Sequence, residues 1–494
     1  MKKFLAITLS LVLTVCLLSA CNDKADNNST DIDGYDGEYQ GFETDTVIES
    51  ASKNTSTDVA SKRPSNNSST ESSGGSSKIT SSSEDKDLNN ESFKTTHEYE
   101  QDGRQVKMVE GATLEDYTAC VNELLNEGYS KYDENEINKC QFVSLTNQNT
   151  FVSVSYTAGD SKLKVISEPL GDLYPRKQDN KYTERNMQSL FTGMKNQNKP
   201  IYSGMGFIIR LSDGRFIIID GGGGDYNHLD SNNILNILKS QSPKGTEKPV
   251  IAAWIFTHAH DDHIGAFNAF TADFANKVKI ESFYYNFPPV KVIGSATAGL
   301  SHEEYYSYSN FVKCIKKYPD AKIIRPHAGE KYYIGNAVID MLFSYEDLFP
   351  LSFESGTLGD FNHTSLVFKI TIGGQSMLIT GDATTDAMYF IQDNFGSFAQ
   401  SDILQMSHHG QFGTRSFYSL VNPTYALLPI SHVDTNRMNK IDANRWLASS
   451  SKLRQVLVFW GGNVTIPLPY NPTDDQISDR IPTKYTVYYD FPIN

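Results

Sequence analysis

His258-Ala259-His260-Asp261-Asp262-His263 stands just past the apolar run Ile251–Phe256, and three of the chain's 11 histidines fall inside these six positions. Val250–Phe256 reads as a buried strand and Ile264–Ala275 as a helix, so the cluster sits where one hands over to the other. His258 and His260 are two apart, and on extended backbone they project to one side. Asp262 and His263 follow the turn into the helix, where they can face a second ion. Imidazole together with carboxylate suits zinc, manganese or iron. A histidine-rich surface loop is the plain alternative, and the buried strand before the cluster speaks against it.

Four further motifs stand at the ends of apolar runs. Asp220-Gly221-Gly222-Gly223-Gly224 closes the run Phe216–Ile219, where a carboxylate can orient metal ligands from behind. A glycine-rich turn is the alternative. Thr380-Gly381-Asp382 follows Met377-Leu378-Ile379, and a carboxylate there can bridge two cations; the alternative is an Asx-turn. Ser407-His408-His409-Gly410 follows Ile403–Met406. Adjacent imidazoles at a strand end suit one metal ligand, with His408 preferred, and one orienting or acid role, given to His409. Asn362-His363-Thr364-Ser365 precedes another strand; His363 is a candidate third ligand of the first ion, with Asn362 beside it in a supporting role, or else a turn histidine.

In order, Asp220, the H-x-H-x-D-H run, Asn362/His363, Asp382 and His408/His409 resemble the metallo-β-lactamase superfamily. Ile379-Thr380-Gly381-Asp382, His408-His409-Gly410, Val421-Asn422-Pro423-Thr424-Tyr425-Ala426 and Asn362-x-x-Ser365 are most similar to the extracellular metallohydrolase domain of the DNA-uptake channel ComEC. The resemblance covers about 200 to 465. The chain departs from that group in having Gly410-Gln411 where Gly-Ser is usual, in an offset histidine at the third motif, and in lacking the channel's many membrane-spanning helices. The resemblance implies an α/β fold, an αββα sandwich with metals along one edge, and hydrolysis of phosphodiesters, with nucleic acid among the substrates.

On this reading His258, His260 and His363 hold one divalent ion and Asp262, His263 and His408 the other, with Asp382 between them. Zinc is the expected metal and manganese the second choice. Two cations on shared ligands activate a water as nucleophile. Asp262 or His409, or more remotely His432, would protonate the leaving group. Competing readings are a hydrolase of choline or teichoic phosphodiesters in the cell envelope, an ester or lactam hydrolase, and a surface adhesion protein with an inactive metal domain. The intact ligand set argues against the last. Tyr284, Tyr285 and Phe287, with Tyr305, Tyr306 and Tyr308, either stack on substrate rings or pack the insert they lie in.

The N-terminus reads as an address. Met1-Lys2-Lys3 precedes an uncharged apolar run from Phe4 to Ala20, and Leu18-Ser19-Ala20-Cys21 resembles a bacterial lipobox. The expectation is a lipoprotein signal over 1–20, lipidation at Cys21, and a chain held on the extracellular face of a bacterial, Gram-positive cytoplasmic membrane; an uncleaved anchor is the alternative. Residues 21–95 are rich in Ser, Thr, Asn and Asp, and Ala51 to Asn90 contains no aromatic residue. Such a composition cannot bury enough apolar surface to order itself. It reads as a tether, with a reach of roughly 35 Å for a 40-residue coil.

Residues 96–170 read as a small α+β module for wall, partner or domain contact. Thr113-Leu114-Glu115-Asp116 opens a helix, with strands at Cys140–Leu145, Thr150–Tyr156 and Lys162–Ile166. Cys120 and Cys140 could pair outside the cell. The hydrolase region is 185–494, where strand runs alternate with helices, as in stacked α/β layers. A net charge of −15 and a pI near 5.2 exclude a basic nucleic-acid grip over the whole surface. They leave nucleic acid open at a metal site, because bound cations reverse the local sign.

Overall fold

The computed structural model describes residues 80–82, 94–101, 103–195, 204–223, 228–288, 302–350, 361–430, 440–459, 462–474 and 477. The signal, Cys21 and nearly all of the tether lie outside these residues, as does His432. Among the described residues no helix is long and apolar enough to cross a membrane.

Two mixed sheets face each other. The first runs, in spatial order, Lys322–Ile324, Ser282–Tyr284, Val250–Ile255, Phe216–Asp220, Gly206–Arg210, Ser189–Gly193 and Val464–Leu468. The second runs Lys331–Ile334, Ala337–Phe343, Val367–Ile372, Gln375–Ile379, Ile403–Gln405, Tyr425–Leu428 and Gln455–Val458. Strand alternation builds the layers. Phe207, Ile209, Ile217 and Ile219 join Ile370, Met377, Ile379 and Leu427 in the core between the sheets. The alternate residues Ile208, Phe216, Ile218 and Trp254 turn outward onto helices Leu229–Gln241, Asp261–Phe274 and His302–Ile315. On the other side Leu378, Leu404, Ala426 and Leu428 meet helices Thr385–Phe395, Arg415–Val421 and Asp442–Ser449. The result is the expected αββα sandwich.

The parallel pairs decide where chemistry can gather. Phe216–Asp220 lies parallel to Val250–Ile255, and Gln375–Ile379 to Ile403–Gln405. Ligand sites in such sheets form beyond the carboxyl ends of the strands, and all five motifs emerge at this end of the sandwich or border it. Helix Asp261–Phe274 begins three residues before the expected Ile264. Apolar periodicity registers only from Ile264, whereas the acidic first turn of Asp261 and Asp262 suits the positive end of the helix dipole.

Residues 95–169 form a third, antiparallel sheet around helix Leu114–Asn126, which carries the expected capping box at Thr113 and Asp116. Strands Thr95–Gln101, Arg104–Glu110 and Ser130–Ile137 join the three expected ones. This sheet packs on the sandwich. Tyr99, Val106, Met108 and Ile166 enclose Tyr345 and Phe349. A Cβ on Gly329, which has φ +89°, would overlap the ring of Phe142. Arg104 pairs with Glu346, and Lys164 with Asp347. His327 Nδ1 lies 2.7 Å from Glu346 Oε2 and its Nε2 3.6 Å from Glu168 Oε1. Burial pushes the Glu168 carboxyl up, but His327, Arg325 and Arg104 outweigh it and hold it well below the usual carboxylate range.

The pairing of Cys120 with Cys140 is not formed; both thiols are free. Cys140 turns toward the sandwich, donating to Asn394 O at 3.4 Å and accepting from Ala158 N at 3.3 Å. Cys120 packs with the module's own core. The two sulfurs therefore serve different clusters.

Candidate metal centre

Asp220 ends its strand in a left-handed conformation, φ +53°, unusual for a side chain other than glycine. Its buried carboxylate accepts from Thr257 N and Thr257 Oγ1, each at 2.8 Å, and from His263 Nδ1 at 2.7 Å. Donation from Nδ1 turns His263 Nε2 toward the site. Burial pushes the Asp220 carboxyl up, and His263 and Thr257 only partly offset this.

Two donor groups result. Asp262, His263, Asp382 and His409 form one; His258, His260 and Asp382 form the other; within each, ligand atoms lie within 4.8 Å of one another. Asp382 belongs to both. Its Oδ2 is 3.3 Å from His263 Nε2, 3.4 Å from His409 Nε2 and 3.9 Å from His258 Nε2. His263 Nε2, His409 Nε2 and Asp382 Oδ1 are buried with no hydrogen-bond partner among the described residues. Buried polar atoms ordinarily have partners. Convergent ones without any, on histidine and carboxylate, fit a pair of divalent cations.

The field of the cluster points the same way. Burial lowers the basicity of His263 and His409, yet Asp382 and Asp262 outweigh it, raising His263 well above its ordinary range and His409 to about 10. Burial raises Asp382, but His263, His409 and His408 hold it well below the carboxylate range. His258 is pushed well down by burial and then by His263. The carboxylates outweigh burial here, so the corner favours positive charge.

The histidine pair is arranged differently from the expectation. His409 Nδ1 donates to Pro429 O at 2.6 Å, which leaves Nε2 to the four-donor group. His408 belongs to neither group: its Nε2 is 3.7 Å from Asp382 Oδ2 and its ring packs on Phe412 at 4.6 Å. Both residues have positive φ, +49° and +53°. Two successive left-handed residues make a kink that breaks any strand or helix periodicity, so spacing does not reveal which imidazole turns inward. Asp262 and His409, expected to carry protons, are both donors of one group.

His363 is also outside both groups. Its Nδ1 lies 3.2 Å from Thr384 Oγ1 and 3.5 Å from Asp386 Oδ2, and its side chain is 32% exposed. Asn362 is buried beside it, and Ser365 Oγ accepts from Asp382 N at 3.2 Å. Of the aromatic group, Tyr284, Phe287 and Tyr308 are buried in packing, whereas Tyr306 is exposed. The side chain of Tyr305 lies outside the described residues.

Sequence reading missed Thr257, which ties Asp220 to the histidine run and whose Oγ1 lies 3.0 Å from His258 Nδ1. It also missed Gln405, which accepts from Thr380 N at 2.7 Å and donates to Gly381 O at 2.9 Å, fixing the turn that presents Asp382. Gly381 has φ +52°, and a Cβ on it would stand 2.8 Å from Thr257 Cβ, so the loops of the two sheets meet only because this residue is glycine. A hydroxyl before the first histidine and a glutamine inside an apolar strand were the available signals.

Six residues on the carboxyl edge of an αββα sandwich, one of them an aspartate shared by both groups, define a candidate dinuclear metal centre. Residues 203–410 match the model of the Metallo-beta-lactamase superfamily, so the chain carries a domain of that superfamily. No curated protein matches the chain. Among solved structures it is similar to the metallo-β-lactamase fold protein YhfI from Bacillus subtilis, with 12% identity over 56% of this chain and 98% of that one and a TM-score of 0.33. It is also similar to CmlA, a diiron β-hydroxylase from Streptomyces venezuelae, with 11% identity over 57% and 54% of the two chains and a TM-score of 0.32. Unliganded yeast PDE1 shows 11% identity over 61% and 92%, with a TM-score of 0.29.

Proposed function

We propose that this protein is a dinuclear metal-dependent phosphodiesterase, lipid-anchored through Cys21 on the outer face of the cytoplasmic membrane. The observation that carries the reading is Asp382, shared by two donor groups whose buried nitrogens and oxygen face one another. His258, His260 and Asp382 would hold one ion, and Asp262, His263, Asp382 and His409 the other; zinc or manganese suits these donors. When bound, such a pair activates water and neutralises charge on the scissile group. The resemblance to the ComEC extracellular domain supports a phosphodiester as the bond cleaved.

The chain's own residues set the geometry. Asp220 and the Pro429 carbonyl each accept from one Nδ1 and so fix the tautomer and tilt of His263 and His409. Thr257 and Gln405 hold the two strand ends in register. The acidic chain favours small or cell-envelope diesters over long DNA, because gripping a polyanion takes many Lys and Arg contacts.

Metal analysis of the purified protein, joined to a panel of bis-p-nitrophenyl phosphate, DNA and nitrocefin, tests the reading. The expected result is two metal ions per chain and hydrolysis of the phosphodiester without turnover of nitrocefin. A metal-loaded protein inactive on every phosphodiester overturns it. Retention of a Cys21→Ala variant in washed membranes would overturn the anchor.

A further inference from the structure

A cavity of about 240 Å³ opens where the N-terminal sheet meets the sandwich, lined by Tyr174, Tyr285, Phe151, Arg325, Glu168 and Asp172 among others. It contains none of the metal-centre residues, yet it stands on the same edge of the same sheet. Val250–Ile255, Ser282–Tyr284 and Lys322–Ile324 are successive parallel neighbours. Tyr285 and Arg325 are the first residues past the carboxyl ends of the second and third of these strands, as His258 lies past the end of the first. Two strand spacings, roughly 10 Å, separate the two positions across the sheet. Between them runs a packed rib of rings, Tyr285–Phe287–Tyr308–Phe361, ending on His260 with centroid steps of 5.3, 5.8, 5.9 and 5.5 Å. The rib holds the cavity at a set distance from the metal centre.

At the mouth of the cavity two exposed side chains, Arg325 and Asp172, offer polar atoms that a ligand can reach. Arg325 Nη1 donates to Glu168 Oε2 at 2.5 Å, and the rest of its guanidinium has no partner among the described residues. Asp172 accepts from Ile323 N at 2.9 Å through Oδ2, and its Oδ1 is likewise without a partner there. Burial pushes the Tyr285 hydroxyl up, so it remains a neutral donor. Arg325 is offset by Glu168, and Asp172 leaves the lining acidic, so the cavity does not select a phosphate. Phe151 and Tyr174 are buried against His327, Tyr132 and Tyr332, so the part-exposed ring of Tyr285 is the wall that suits the C–H face of a saturated ring, and a planar guanidinium beside a carboxylate suits neighbouring hydroxyls.

From this geometry we propose that the cavity is a subsite for a neutral sugar ring carried by the phosphodiester substrate. The proposal rests on the phosphodiesterase reading for the word substrate, and on the cavity alone for the sugar. Two measurements separate these. Saturation-transfer NMR with the methyl glycosides of glucose, galactose and N-acetylglucosamine reads binding without turnover. Signal is expected for at least one glycoside, unaffected by inorganic phosphate and lost in both Arg325→Ala and Asp172→Ala. Asp172 is exposed, so its substitution leaves the fold intact even where loss of Arg325 disturbs the seam. No transfer from any glycoside, or transfer unchanged in Asp172→Ala, overturns the subsite.

The second measurement compares the p-nitrophenyl diester of the bound sugar's 6-phosphate with bis-p-nitrophenyl phosphate. Both variants should raise KM for the sugar diester about tenfold, the worth of one hydrogen bond to a charged group, and leave the simple diester unchanged. Equal effects on the two diesters, or none on either, overturn the assignment of the cavity to the substrate. If the wild type cleaves neither diester, the phosphodiesterase reading fails, while the NMR result still decides the cavity.

Discussion

The seam and the metal centre are two clusters of buried charge within the same body of the molecule, built from different inventories. At the seam, Arg104 and Lys164 meet Glu346 and Asp347, with Glu168 and His327 completing the network. At the carboxyl edge, Asp220, Asp262 and Asp382 gather around histidines alone. The seam contains its own permanent cations. The edge contains no lysine or arginine in either donor group, so its carboxylates face imidazoles and no permanent cation. A network with its own guanidinium and ammonium groups needs no added cation. An incomplete one, built from metal-ligating atoms, is complete only with cations from solution.

The sharpest way to break this contrast is Asp382→Ala. Removing the shared ligand should lower metal content and cut phosphodiester turnover about a thousandfold, the several kcal/mol that metal charge stabilisation contributes. Metal analysis beside kcat/KM measures it. A variant that kept both ions and lost only thermal stability would make the edge a structural network of the same kind as the seam.

Arg104→Met tests the other side. It leaves Glu346 buried without its guanidinium, while Glu168 keeps Arg325, at a cost of about 3–5 kcal/mol in urea unfolding, with metal content unchanged. Replacing Glu346 by Leu in the same chain should recover most of that loss, because an apolar pair removes the uncompensated charge. Unaltered stability in Arg104→Met would mean that the seam is not a closed network.

Asp220→Asn sharpens the comparison without removing a ligand. The amide can still accept from Thr257 N, but it turns a donor toward Thr257 Oγ1 and His263 Nδ1, which opposes the tautomer that frees Nε2. Orienting partners of this kind are worth about 10–100-fold in metal affinity. Competition with a chelator gives the number, and an unchanged affinity would leave Asp220 a purely structural residue.

The same contrast explains what the sequence disclosed. Asp220, the histidine run and Asp382 were legible because each directly follows an apolar strand, and strand ends are where this fold exposes chemistry. The roles of His408 and His409 were not, because they depend on a backbone kink with no residue period. Helix Leu229–Gln241 escaped notice because its N-cap His228 is left-handed and makes no side-chain capping bond. Strand Ser130–Ile137 is polar along most of its length and shows no clean alternation. The seam was invisible for another reason. Arg104 and Tyr345 lie 241 positions apart, and no local pattern announces a pair closed only by the docking of two sheets.

The smallest expected effect comes from a position far from both clusters. Thr113 caps helix Leu114–Asn126: Asp116 N donates to its Oγ1 at 3.3 Å, and Asp116 Oδ2 accepts from Thr113 N at 2.8 Å. Thr113→Ala should cost about 1 kcal/mol, the usual worth of an N-cap. The value matters less than where it appears. Buried pairs and shared apolar clusters couple the N-terminal sheet to the sandwich, so the loss should shift a single unfolding transition seen alike by circular dichroism and by tryptophan fluorescence. The chain's three tryptophans, Trp254, Trp446 and Trp460, all fall beyond residue 185 and none lies between residues 95 and 169, so fluorescence does not report the N-terminal sheet directly. If Thr113→Ala moved the far-ultraviolet transition and left the fluorescence transition in place, the N-terminal sheet would be unfolding by itself, and the seam would be a contact between two independent units.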